Sequence, residues 1–171
     1  KARPGEYRLA DGAADLAVSL DAVDSSGARV TKTYRFHRSS YVIDVTYDIT
    51  NTGPAPIQPF AYFQLLRDSK PPAGDSAMLP TYTGAAVYTE KEKFQKVAFG
   101  DMDKNKTPYP KNSNDGWVAM LQHYFFSAWL PKNGTPREFF TRHLDGGMYA
   151  AGVIIPAGNI ETIDEAKWRH A

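Results

Sequence analysis

Cysteine is absent from the 171 residues, so no disulfide framework and no thiolate metal site can form, and the chain carries no redox clue to its compartment. Excess charge is missing too. With 20 basic and 19 acidic side chains, there is no global field to draw nucleic acid or anionic lipid. No stretch approaches the roughly 20 apolar residues that span a bilayer. There is no signal-peptide pattern, and Lys1-Ala2-Arg3-Pro4 reads as the interior of a longer polypeptide, which makes the chain a soluble piece of one.

Signatures of catalysis are equally scarce. No nucleophile elbow, phosphate loop or dinucleotide fingerprint occurs. His37, His123, His143 and His170 show no metal-ligand spacing, so no metal and no cofactor are expected. Asp44 and Asp48 share a strand face, but four residues along a strand separates them by roughly 13 Å, too far for a carboxylate pair. Lys91, Lys93 and Lys96 beside Phe94, and Lys104, Lys106 and Lys111 beside Tyr109, resemble basic-aromatic patches. Glu90, Glu92, Asp101 and Asp103 cancel both, and solvated loops are the reading. Asn105-Lys106-Thr107 and Asn133-Gly134-Thr135 match glycosylation sequons, a pattern frequent by chance.

What is plentiful is turn and strand chemistry: 13 Gly, 12 Pro and ten Tyr, with aromatics at 13%. This suits an all-β domain with many turns. Gly5 to Ala10 is a possible short strand. Leu16, Val18 and Leu20 alternate with polar or small neighbours, and Val30, Tyr34 and Phe36 do so again, with Lys32 intruding. Tyr41 to Thr50 is the clearest period of two, an antiparallel strand with one wet face closed by Asn51-Thr52-Gly53-Pro54. These three strands predict a meander. Further strands are predicted over residues 57–66, 81–88 and 94–99. Asp145-Gly146-Gly147 predicts a hairpin between strands at 139–144 and 148–155. Residues 67–79 form a Pro/Gly/Ser-rich connection, 100–115 is unpatterned, and a short helix is expected only at 163–170.

The longest apolar run is Gly-Trp-Val-Ala-Met-Leu-Gln-His-Tyr-Phe-Phe-Ser-Ala-Trp-Leu-Pro, Gly116 to Pro131. A buried helix competes with a strand. The strand fits better: the run is aromatic-rich, bounded by turn residues, and without the alternation that a wet face imposes, so it reads as buried on both sides with a bend or bulge. His123 within it reads as a hydrogen-bonded core or groove histidine before it reads as a ligand or base.

This run resembles the signature of the periplasmic domain of YidC-type bacterial membrane protein insertases. The segment Lys32-Thr33-Tyr34-Arg35-Phe36-His37-Arg38 through Tyr41, Val45, Tyr47 and Asn51 is similar to a second family pattern, and Gly84-Ala85-Ala86-Val87-Tyr88 with Glu92-Lys93-Phe94 and Lys96 to a third. The resemblance covers residues 6–160. It implies a twisted antiparallel β-supersandwich of the galactose mutarotase-like kind, periplasmic and tethered to the inner membrane by transmembrane helices outside this chain. It also implies a non-catalytic chaperone role for the parent, which acts on nascent membrane proteins alone or with the Sec translocon, in contact with SecD and SecF. Strands that open the family's domain and the segment that leads back to the membrane are not recognisable here. Residues 1–171 are therefore read as one domain incomplete at both ends, with a sheet edge open to self-pairing. A carbohydrate-binding or mutarotase-like protein is the alternative, on fold alone.

Two sets of residues are candidates for contact. Phe60, Tyr62, Gln64, Tyr82, Tyr88 and Phe94 lie on strands beside the long connection, and Arg67 at its start, where a partner or extended peptide would dock. Trp117, Tyr124, Phe126 and Trp129 would line an aromatic groove if they are not all spent on the core.

Overall fold

The computed structural model describes residues 5–72 and 81–160. Among them are eleven β-strands and one α-helix, and every strand pairing is antiparallel. The fold is all-β, as expected. The predicted helix at 163–170 lies outside the described residues, as does the tip of the connection at 73–80. Two compact units are present, one built from residues 5–59 and 157–160, the other from Phe60 to Pro156.

The first unit is the predicted meander: β1 (Asp15–Val23), β2 (Ala28–His37) and β3 (Ile43–Asn51), in that order across the sheet. The register aligns Val18 with Tyr34 and Tyr34 with Val45. One face therefore collects the apolar positions, and a hollow of about 600 Å³ there is lined by Tyr7, Leu16, Val18, Leu20, Tyr34 and Phe36. Lys32 is accommodated on this face because its ammonium lies 4.7 Å from the Tyr34 ring centre and 5.2 Å from that of Tyr47. Asp24 makes the first turn, its Oδ1 accepting from the amides of Ser26 and Ala28 at 2.8 and 3.0 Å. Asn51 ends β3 fully buried. Its Nδ2 donates to the Ala55 and Ile160 carbonyls, and its Oδ1 accepts from the Gly53 amide.

One expectation fails here and one boundary shifts. Gly5 to Ala10 forms no strand; instead the Ala10 and Ala13 carbonyls accept from the Arg38 guanidinium, and without ladder partners the alternation has nothing to express it. The third strand starts at Ile43, because Tyr41 and Val42 pass through solvent before pairing begins.

The second unit is a sandwich of two four-stranded sheets. It contains β4 (Phe60–Asp68), β5 (Thr83–Thr89), β6 (Lys93–Val97), α1 (Phe99–Asp103), β7 (Asn112–Ser113), β8 (Trp117–Gln122), β9 (Phe125–Trp129), β10 (Arg137–Leu144) and β11 (Met148–Pro156). One sheet runs β4-β11-β10-β7, the other β6-β5-β8-β9. Phe63, Val153 and Phe139 are aligned across the first, and Val87 with Val118 across the second. All five are buried, at roughly 1.5–3 kcal/mol for each large side chain removed from water. Phe63 meets Trp129 across the sandwich with ring centres 4.9 Å apart.

The Gly116–Pro131 run is extended, as expected, yet it is not one bent strand. It folds back on itself as the β8–β9 hairpin, with Leu121 opposite Phe126 and Gln122 opposite Phe125. Its turn, His123-Tyr124, contains none of the Gly, Asn or Asp that normally mark a two-residue hairpin loop; His123 itself takes φ 56°. Nor is the run buried throughout. Val118, Ala119 and Met120 are, while Tyr124 in the turn and Phe125 and Phe126 on the edge strand β9 are exposed. The unpatterned stretch holds α1, five residues that are too few to show a helical period and are pinned by the buried Met102.

Candidate interaction surface

The residue that fixes the aromatic hairpin is Arg137, one position into β10. It shares the inward parity of Phe139 and is only 3% exposed. Its Nε donates to the Thr135 carbonyl at 2.9 Å, Nη1 to Gly116 and Pro131 at 2.8 and 3.1 Å, and Nη2 to Asn114 at 3.1 Å and to Lys132. Gly116 immediately precedes β8 and Pro131 lies two residues past the end of β9, so a single guanidinium staples both legs of the hairpin. Burial lowers its proton affinity from the ordinary guanidinium range, partly offset by Asp115 nearby. Gly116 cannot be replaced, because at φ 89° a Cβ would stand 1.9 Å from the Tyr88 carbonyl oxygen.

The four aromatics of the expected groove are not brought together. Trp117 stacks on Tyr88 at 5.6 Å and leans on Phe94 at 6.0 Å, forming a row of rings on the outward face of the β6-β5-β8-β9 sheet. Trp129 points the other way, into the sandwich against Phe63. Tyr124 and Phe126 stand at the hairpin tip in solvent. The reading that all four are core is therefore corrected, since strand parity and the turn at His123 send them to three different places.

The expected docking residues also divide. Phe60, Tyr62 and Gln64 are exposed on the outward face of the β4-β11-β10-β7 sheet. There Tyr62 stacks on Phe140 at 4.9 Å, and Arg142 lies 4.9 Å from the same ring. Phe140 is buried because Gly152 gives it room: a Cβ on Gly152 would come within 2.3 Å of the Phe140 ring. A shallow concavity of about 460 Å³ continues this face, lined by Phe60, Asn112, Pro136, Glu138, Ile154 and Pro156. Tyr88 and Phe94 belong to the opposite outward face. Tyr82 donates its hydroxyl to the Ala85 carbonyl at 2.6 Å and carries Lys96 over its ring. Arg67 turns inward and is spent on the Asp68 and Lys70 carbonyls and on Gln122 Oε1 at 3.0 Å.

The three histidines among the described residues each have a polar partner, and His170 lies outside those residues. His37 Nε2 lies 2.7 Å from Asp44, His123 Nδ1 2.6 Å from Thr81 Oγ1, and His143 Nδ1 2.9 Å from Asp103, which also accepts from the Tyr149 hydroxyl. Among the described residues no group of three or more His, Cys, Asp and Glu could hold a metal ion. Several lysines of the two patches pair with acids: Lys93 with Glu90, Lys91 with Glu92, Lys106 with Asp101 and Lys111 with Glu138. Three residues that matter were missed in the sequence: Arg137, Phe125 and Phe140. Only Arg137 left a signal, sharing the parity of inward Phe139 at the head of an apolar strand.

Fold and surface together define a β-sandwich scaffold that presents aromatic outer faces. The chain belongs to the YidC periplasmic domain family, whose family model matches residues 1–169. It is similar to the membrane protein insertase YidC of Nitrosospira multiformis, 54% identical over 160 residues that cover 94% of this chain and 28% of the relative. The same-named protein of Nitrosomonas europaea is 54% identical over 154 residues, 90% of this chain and 25% of the relative. That of Aromatoleum aromaticum is 46% identical over 158 residues, 92% and 29%. The chain thus spans between a quarter and a third of these relatives' length.

Proposed function

We propose that this chain is the periplasmic module of an inner-membrane protein insertase and that it works without catalysis, by offering surfaces to other proteins. The match to the YidC periplasmic domain over residues 1–169 carries this reading. Residues 1–171 serve as one domain of a longer polypeptide whose transmembrane helices lie elsewhere and hold the module in the periplasm. That longer protein acts on nascent membrane proteins, alone or with the Sec translocon.

The docking face for SecD and SecF is the outward side of β4, where Phe60 and Tyr62 stand exposed beside Phe140. A β-sheet face bearing exposed aromatics and a neighbouring concavity suits a protein partner. Co-purification of the whole insertase with SecD and SecF tests it. Phe60→Ser with Tyr62→Ser abolishes the association, and Tyr88→Ser with Phe94→Ser, on the other face, leaves it intact. Equal retention by both variants would refute the assignment.

One observation favours a carbohydrate-binding alternative: the row Phe94, Tyr88 and Trp117 is the kind of platform on which a sugar ring stacks. A sugar at 100 times its dissociation constant would raise stability by about 2.7 kcal/mol. No thermal shift across a saccharide panel removes this alternative.

A further inference from the structure

The β8–β9 hairpin ends in rings that nothing in the described chain covers. Tyr124, Phe125 and Phe126 are 83%, 77% and 71% exposed, and Leu130, just past β9, is exposed as well. Phe125 and Phe126 are consecutive on a strand and so point to opposite faces. The register confirms it: Phe125 pairs with Gln122 on the side of Ser127, and Phe126 with Leu121 on the side of Ala128. A protein docking on one face of an edge strand would cover one ring and leave the other wet. Burying both requires surroundings that close around the tip, which a fluid lipid interface does.

The composition of the tip agrees. From Gly116 to Pro131 no Asp, Glu, Lys or Arg occurs, so Tyr124, Phe125 and Phe126 carry no full charge of their own out of water. Polar groups sit at the same level: the Tyr124 hydroxyl, His123 with Nδ1 2.6 Å from Thr81 Oγ1, and Gln122 held by Arg67. Tyr124 is an aromatic ring with a polar handle, the kind of side chain enriched where a bilayer meets water, and Phe125 and Phe126 are the apolar rings of an interfacial anchor. The base of the hairpin is stapled by Arg137, so the rings are presented on a fixed support.

We propose that the β8–β9 tip is a shallow lipid anchor, with Tyr124, Phe125 and Phe126 seated in the headgroup region of a bilayer. The proposal rests on the reading of the chain as a module held close to the inner membrane; it does not depend on which protein docks on β4.

Flotation of the 171-residue chain with vesicles of phosphatidylcholine and phosphatidylglycerol, at about 1 mM accessible lipid, tests the anchor. The unaltered chain floats, and a variant carrying Tyr124→Ser, Phe125→Ser and Phe126→Ser partitions at least about tenfold less, as the loss of buried ring area requires. Its urea midpoint serves as the check on folding. A second measurement needs no variant: vesicles slow amide hydrogen exchange at residues 122–127 of the unaltered chain. Failure of the unaltered chain to float, equal flotation of the variant, or slowing confined to another segment overturns the anchor. So does lipid-free dimerisation that the same substitutions abolish, which would give the tip to a second copy. Because only lipid is present, flotation fails or succeeds independently of SecD and SecF co-purification.

Discussion

Replacing Arg137 by Met keeps most of the side chain's bulk and removes every donor. Five backbone carbonyls then lose a partner: Thr135, Gly116, Pro131, Asn114 and Lys132. A buried acceptor left unsatisfied costs roughly 1–3 kcal/mol. Lys132 and Asn114 lie in exposed loops that water can reach; the other three carbonyls belong to half-buried residues, so at the lower part of that range the loss is about 4 kcal/mol. Relief of the guanidinium's own desolvation reduces that to about 3 kcal/mol. Arg137→Lys keeps the charge but has fewer donors on a point-like head, so it recovers only part of the loss. Urea unfolding followed by tryptophan fluorescence reads the effect through Trp117 and Trp129. With a slope of about 2–3 kcal/mol/M, the midpoint falls by roughly 1 M. A loss below about 1 kcal/mol for Arg137→Met would refute the staple, and so would Arg137→Lys behaving like the unaltered protein.

Gly152→Ala places a methyl within 2.3 Å of the Phe140 ring and 2.2 Å of the Phe63 carbonyl oxygen, and overpacking of this kind costs about 1–3 kcal/mol; calorimetry should show a Tm lower by several degrees, and an unchanged Tm contradicts the ring's placement. Asn51→Ala removes a fully buried amide that serves three backbone groups, costing about 2 kcal/mol by urea titration. Burial pushes the Tyr82 hydroxyl up to about 12. The folded state therefore holds that proton more tightly than the unfolded one; the resulting stability is complete below the ordinary tyrosine range near 10 and is lost as pH rises through about 12. Tyrosinate absorbance should rise last for Tyr82, and Tyr82→Phe should lessen the alkaline loss of stability; an unchanged profile in that variant refutes the shift.

Much of the architecture could be read from residue order because period and turn chemistry agreed. The alternation from Ile43 to Ile49 became β3, and Asp145-Gly146-Gly147 joined β10 to β11 with Gly146 and Gly147 at φ 75° and 71°. Where one signal was silent the reading slipped. The fold-back at His123 carries no glycine, so two strands looked like one; α1 is shorter than two helical turns; and Gly5 to Ala10 had the look of a strand without a neighbour to pair with. The surfaces were harder still. Whether Tyr62 and Tyr88 share a face depends on which sheet each strand joins, a non-local choice that no local pattern encodes. Arg137 shows the same limit, since its five acceptors come from two loops that are distant in the chain.

The direct test of the module's role is amide hydrogen exchange on the chain mixed with the periplasmic parts of SecD and SecF. Exchange should slow along Phe60–Asp68 and leave Lys93–Val97, on the opposite face, unchanged. No slowing anywhere at saturating partner would contradict a scaffold that works through its outer face.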